Sequence, residues 1–115
     1  MAAALICCCL SCKKTVIDPS ALAGDLAKLT EAIAAASTNA ELYSLRAQYY
    51  YDNKQIENAE KDILRCVALD NTQAKYYVLM SDVYFAQKET DLTEENLQRA
   101  IELDGKLNEP RLKLA

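Results

Sequence analysis

Residues 40–73 read AELYSLRAQYYYDNKQIENAEKDILRCVALDNTQ, and residues 74–107 read AKYYVLMSDVYFAQKETDLTEENLQRAIELDGKL. The two stretches align without a gap at a period of 34. Nine positions are identical: Ala40/Ala74, Tyr43/Tyr77, Leu45/Leu79, Tyr50/Tyr84, Lys54/Lys88, Glu60/Glu94, Arg65/Arg99, Leu69/Leu103 and Asp70/Asp104. Chance at this composition would give about two or three, so the repeat is real and decides the architecture. Tyr51/Phe85, Ile63/Leu97 and Val67/Ile101 are near-equivalents in the same register.

Within each copy the apolar residues recur every three or four positions. Tyr43, Ala47 and Tyr50 form one stripe, and Ala59, Ile63, Cys66 and Leu69 form another, which is the pattern of amphipathic helices. The polar run Asp52-Asn53-Lys54-Gln55 separates the two stripes, and the stretch from Lys88 to Asp91 does so in the second copy. Asp91 and Glu94 make a plausible capping pair there. Helices of about 12–14 residues joined by about three residues must fold back on each other as antiparallel neighbours. The spacing predicts helices near 19–36, 41–52, 56–70, 74–87 and 92–104, the first opened by Asp18-Pro19. The core is expected at Tyr50, Ala59, Ile63, Cys66, Tyr84, Leu97 and Ala100.

Each copy resembles the tetratricopeptide repeat. The resemblance is carried by an aromatic at Tyr43 and Tyr77, a small residue four positions on at Ala47 and Ser81, and a tyrosine three further at Tyr50 and Tyr84. In the second helix it is carried by small Ala59, large Ile63 and Leu97, and small Cys66 and Ala100. Thr93 stands where the family has alanine, and Asn71 and Gly105 stand where it has proline. Both are expected to end helices because they tolerate the left-handed conformation. The resemblance implies an all-α, right-handed solenoid of helical hairpins with about five antiparallel helices. Leu29, Ala32 and Ile33 place a leading half-repeat at 19–39, full repeats fill 40–73 and 74–107, and 108–115 begins a third.

Bulk properties agree. The chain has 115 residues, of which 51% are hydrophobic and 26% charged, enough for one soluble core. Only two Gly and two Pro leave few turns, which favours long helices over strands. Net charge is −4 with the signs interspersed, so no basic footprint for nucleic acid is present. Histidine, the commonest general base and metal ligand, is absent. Carboxylates such as Glu60, Asp62, Asp70, Glu94 and Glu95 are expected on solvated helix faces, and Cys66 as an inert core thiol. No enzyme activity, cofactor or metal site is expected.

The front of the chain differs. Residues 1–12, MAAALICCCLSC, are apolar, uncharged and too short for a bilayer span, which needs about 20 residues. A short linker, 13–18, follows with Lys13 and Lys14. Leu10-Ser11-Cys12 resembles a bacterial lipobox, with the usual leucine displaced by one place and no Lys or Arg before the apolar run. The resemblance implies lipidation at Cys12 and residence in a bacterial cell envelope, inner or outer membrane. An acylated cysteine cluster, an uncleaved leader and a non-native leader stay open beside it. A cytoplasmic chain is the alternative if the leader is no signal. Three adjacent cysteines cannot converge on one ion, so metal binding at CCCxxC is disfavoured.

Repeats of this family line a concave groove with the first helix of each pair, which implies a protein or peptide partner. The groove positions are Glu41, Ser44, Gln48, Tyr51 and Asp52 in the first copy, and Lys75, Val78, Asp82, Phe85 and Ala86 in the second. Tyr51 and Phe85 follow the buried tyrosine by one residue, about 100° off the core stripe, where they serve either as anchors or as packing. Family members that clamp an acidic chaperone tail use Lys, Arg and Asn in the groove. Ser44, Gln48, Val78 and Asp82 do not suit that role, and Asp82 would repel such a ligand. A structural spacer, with binding or catalysis carried by other segments, is the alternative function.

Overall fold

The structure is a computed structural model, and it describes residues 19–105. Among these residues there are five α-helices and no strand: α1 (Leu26–Ala35), α2 (Ala40–Asp52), α3 (Ile56–Leu69), α4 (Ala74–Ala86) and α5 (Thr90–Leu103). α2 packs on α3 and α4 on α5 as hairpins, α3 joins the hairpins through α4, and α1 lies against α2. Cys12, the linker and the start of a third repeat fall outside the described residues.

Four of the five helices match the expected spans to within a residue or two. The first does not. A 3-10 turn, Pro19–Leu22, comes first, Gly24 follows at φ +87°, and α1 starts only at Leu26. A left-handed residue cannot continue an α-helix, so Gly24 ends the continuity that 19–36 assumed. The working N-cap is Asp25, whose Oδ1 accepts from the Lys28 amide at 3.1 Å.

Both hairpins close the same way. The Gln55 amide donates to Tyr50 O (2.8 Å) and the Lys54 amide to Tyr51 O (3.0 Å). The second hairpin repeats this, with Glu89 to Tyr84 O (2.9 Å) and Lys88 to Phe85 O (3.0 Å). These paired bonds form a Schellman cap, which needs a left-handed residue at its corner. Lys54 (φ 67°) and Lys88 (φ 65°) supply it instead of glycine. A cation at a helix C-terminus is favourable, which offsets part of the cost and accounts for the identity of Lys54 and Lys88. Gln55 and Glu89 then start the next helix directly, without a side-chain cap. The expected Asp91–Glu94 capping pair is therefore corrected: Asp91 lies inside the first turn of α5.

The repeat boundary is corrected too. Asn71 is not left-handed, since Lys54 and Lys88 are the non-glycine residues with positive φ among the described ones. α3 ends at Asp70 in extended conformation, and the Asp70 carboxylate accepts from both the amide and the hydroxyl of Thr72. Those bonds hold the carboxyl below its ordinary value.

The core contains Ala59, Ile63, Cys66, Tyr84, Leu97 and Ala100 as expected, and Leu29 and Ile33 from the half-repeat. Leu42 on α2 is also buried, and so are Tyr76, Met80 and Val83, because α4 is sandwiched between α3 and α5 and hides most of its surface. Tyr50 is the exception. It is only half-buried, with its ring beside the Arg46 guanidinium at 6.0 Å.

Candidate functional site

Arg46 and Asp62 meet between α2 and α3. Nε donates to Oδ2 at 2.7 Å and Nη2 to Oδ1 at 3.0 Å, a bidentate pair that is largely buried. Asp62 is thus no solvated carboxylate, and the expectation for it is corrected. Arg46 also reaches Thr30 on α1 and lies near the rings of Tyr43 and Tyr50. Asp62 holds the guanidinium above its ordinary pKa by hydrogen bonding, against the cost of burial. The pair fastens three helices and points at no cleft, so it supports the site without forming it.

The surface shared by α2 and α4 carries the expected groove residues. At one end Glu41 accepts from the Tyr76 hydroxyl at 2.8 Å and pairs with Lys75 at 3.1 Å. Lys75 also sits 5.6 Å from the Tyr76 ring. The basic residue of the set is thereby engaged by a carboxylate. Ser44 and Val78 are half-buried in the middle. Gln48 is exposed and donates to Asp52 at 2.9 Å.

The aromatic pair divides. Tyr51 is half-buried, and its hydroxyl is pushed above the ordinary value by burial, then by Asp82 and Asp52. Phe85 is 71% exposed. Both occupy one register position, but α4 covers the first hairpin and no described helix covers the second. Sequence register alone hid this difference.

Beside Phe85 lies a recess of about 340 Å³ between α4 and α5. Its walls are Ser81, Asp82, Phe85, Thr90, Thr93, Glu94 and Leu97. Thr93 is self-satisfied, donating to Glu89 O at 2.8 Å. Asp82 and Phe85 belong to both the recess and the α2–α4 surface, so the two are continuous. Thr90, Thr93, Glu94 and Leu97 were missed because sequence reading placed the groove on first helices only. A cleft on the opposite side, between Tyr77 and α5, already has Arg99 over the Tyr77 ring at 5.8 Å.

The core cysteine is enclosed. Cys66 is fully buried, and its thiol is pushed up to about 12 by burial and by the carboxylates of Glu41 and Asp70. It stays protonated and unreactive at neutral pH. Among the described residues no group of three or more His, Cys, Asp or Glu is placed to hold a metal ion, and no helix is long and apolar enough to cross a membrane.

Two antiparallel hairpins in one register define a helical repeat array. A family model for the tetratricopeptide repeat matches residues 40–73 and 74–107, more than half of the chain, and the chain belongs to that family. The family is typically a non-catalytic protein-interaction module. No curated protein sequence matches it. Among solved structures, the first TPR of Spaghetti (RPAP3) bound to HSP90 peptide SRMEEVD is similar, with TM-score 0.73 and 26% identity over 77% of this chain and 71% of that one. MamA is similar at TM-score 0.70 and 20% identity, over 74% of this chain and 50% of MamA, of which the chain thus spans about half. The second TPR of Spaghetti, bound to the same peptide, gives TM-score 0.66 and 24% identity over 69% and 73% of the chains.

Proposed function

We propose that this chain is a peptide-binding adaptor that receives a partner on the surface of α2 and α4, with Phe85 as its apolar anchor. The observation that carries this is the 71% exposure of Phe85 at the edge of a recess, where the other described aromatics are buried or half-buried. Binding energy at interfaces is concentrated in a few residues, and aromatic side chains that become buried on binding are prominent among them. Ser44, Gln48, Val78 and Asp82 make the central contacts, and Glu41, Tyr51, Asp52 and Lys75 the flanks. The similarity to a peptide-bound TPR supports a peptide as the partner class. The clamp for an acidic tail is not carried over, because Lys75 is tied to Glu41 and Asp82 faces the same surface.

Panning a random peptide library on the immobilised chain tests the reading. Recovered peptides should lose about tenfold or more in affinity with Phe85→Ala, at nearly unchanged melting temperature. Peptides indifferent to Phe85→Ala, to Gln48→Ala and to Val78→Ala would remove the binding surface from α2 and α4.

We further propose that the adaptor is tethered to a bacterial membrane through lipidated Cys12. The lipobox-like Leu10-Ser11-Cys12 after an apolar run supports this. Cys12→Ser should move the protein from the membrane to the soluble fraction, and unchanged partitioning would exclude a lipid at that residue.

A further inference from the structure

The two sides of the binding surface belong to different hairpins: Ser44 and Gln48 stand on α2, and Val78, Asp82 and Phe85 on α4. α2 and α4 touch each other sparsely, and the hairpins meet mainly through α3 and α4. One apolar cluster runs through both, with Leu42, Ile63 and Cys66 from the first and Leu79, Met80 and Tyr84 from the second. Apolar attraction is non-directional, so it draws the hairpins together without naming one angle between them. Directed bonds stand at the two ends of α4. At its start the buried Tyr76 hydroxyl donates to Glu41 Oε1 at 2.8 Å, and Lys75 Nζ reaches the same oxygen at 3.1 Å. Just past its last residue, Gln87 Nε2 donates to Glu60 Oε1 at 2.8 Å. Glu41 comes from α2 and Glu60 from α3, so each helix of the first hairpin holds one end of α4. Glu41 and Lys75 share one register position, so successive repeats bring their opposite charges together.

We propose that Glu41 and Glu60 are positioning residues that set the angle between the two hairpins, and through it the shape of the binding surface. The proposal rests on the α2–α4 surface being the peptide-binding face, and adds what holds its two sides in alignment. The attachments on α4 lie about 16 Å apart, at about 1.5 Å of rise per residue from Tyr76 to Gln87. One attachment would leave α4 free to pivot about it, whereas two that are well separated fix its direction. The Tyr76 tie is the firmer. Its hydroxyl is buried, and a buried donor without an acceptor carries its full desolvation cost, so Tyr76 stays on Glu41. The charge on the acceptor strengthens that bond. The Lys75 ammonium is mostly exposed and adds little by itself. A partner that touches both helices then meets sides already aligned, which spares the entropy of ordering them.

The test uses the full 115-residue chain, ¹⁵N-labelled, and changes Tyr76 and Gln87, which lie outside the contact residues named above. A loss of binding is then not a loss of direct contact. Residual dipolar couplings of the backbone amides give the orientation of each hairpin. In the parent, α2–α3 and α4–α5 should fit one alignment tensor at the angle described here. Tyr76→Phe/Gln87→Ala should keep both hairpins helical and change the angle between them. Random-library peptides that depend on Phe85 should bind this double variant about fivefold or more weakly. Glu60→Gln keeps an acceptor for Gln87 and should behave as the parent, whereas Glu60→Ala should behave as Gln87→Ala. An unchanged angle in the double variant overturns the proposal, and so does equal loss in Glu60→Gln and Glu60→Ala. A changed angle with peptide affinity intact refutes the link from the ties to binding. If the panned peptides are indifferent to Phe85→Ala, Gln48→Ala and Val78→Ala, the binding surface falls, and the angle alone decides whether the ties set it.

Discussion

Arg46 and Asp62 form a two-bond pair in the first hairpin, and the second hairpin replaces both members together. The equivalents at a distance of 34 are Met80 and Asn96, both buried, with Asn96 Nδ2 donating to Leu92 O at 2.8 Å. The positions that hold an ion pair in one copy thus hold a thioether and a self-satisfied amide in the other. Breaking a buried pair leaves a charge without compensation, whereas replacing both members is often neutral. Asp62→Asn should cost about 2–4 kcal/mol in urea unfolding, and Arg46→Met/Asp62→Asn should recover most of it. Strict additivity of the two single changes would contradict the coupling.

The environments of Tyr51 and Phe85 predict unequal melts. Phe85→Ala removes an exposed ring and should cost less than about 0.5 kcal/mol. Tyr51→Ala removes a half-buried one and should cost about 1–2 kcal/mol. Equal, large losses from both would mean that Phe85 is covered in solution.

Cys66 sets an alkaline limit. The thiol is raised to about 12 from an ordinary 9.0, so the folded state holds its proton more tightly than the unfolded chain. The stabilisation is complete below about pH 9 and is lost as pH rises towards 12. Chemical denaturation in this range should show stability falling with pH, and Cys66→Ala should flatten the slope at a cost of packing. Rapid alkylation of the folded protein by iodoacetamide at pH 8 would show that the thiol is not enclosed.

The left-handed corners at Lys54 and Lys88 can be probed by side-chain shape. Valine resists this conformation, so Lys54→Val should cost about 1–2 kcal/mol. Lys54→Gly relieves the strain, loses unfolded-chain rigidity, and should fall within about 0.5 kcal/mol of the parent. A valine variant as stable as the glycine variant would refute the strained corner.

Much of the architecture was legible because the repeat constrains it twice. Arg65 lies 5.9 Å from the ring of Tyr43, and Arg99 lies 5.8 Å from that of Tyr77, so two of the shared identities are one contact made in both hairpins. The register likewise located Ala59, Ile63 and Cys66 in the core. What escaped was what the copies do not share. Gly24 breaks a helix that has no second copy to compare with. The pairing of Arg46 with Asp62 spans two helices, and its one signal was that both residues change together between the copies. Of the site, Phe85 was found by its offset from Tyr84, but its exposure depends on what lies beyond α5, and Glu94 entered only through tertiary geometry.

The two matching corners have a metrical consequence. Because Lys54 and Lys88 turn the chain through the same bonds, the two hairpins close with the same local geometry and present equivalent residues at matching places. The binding surface is graduated in hairpin units, and a segment stretched from Glu41 to Phe85 is measured against two of them. Which residues of a partner are read is then a matter of spacing as much as of chemistry: side chains that miss the interval between graduations pass over the surface without contact.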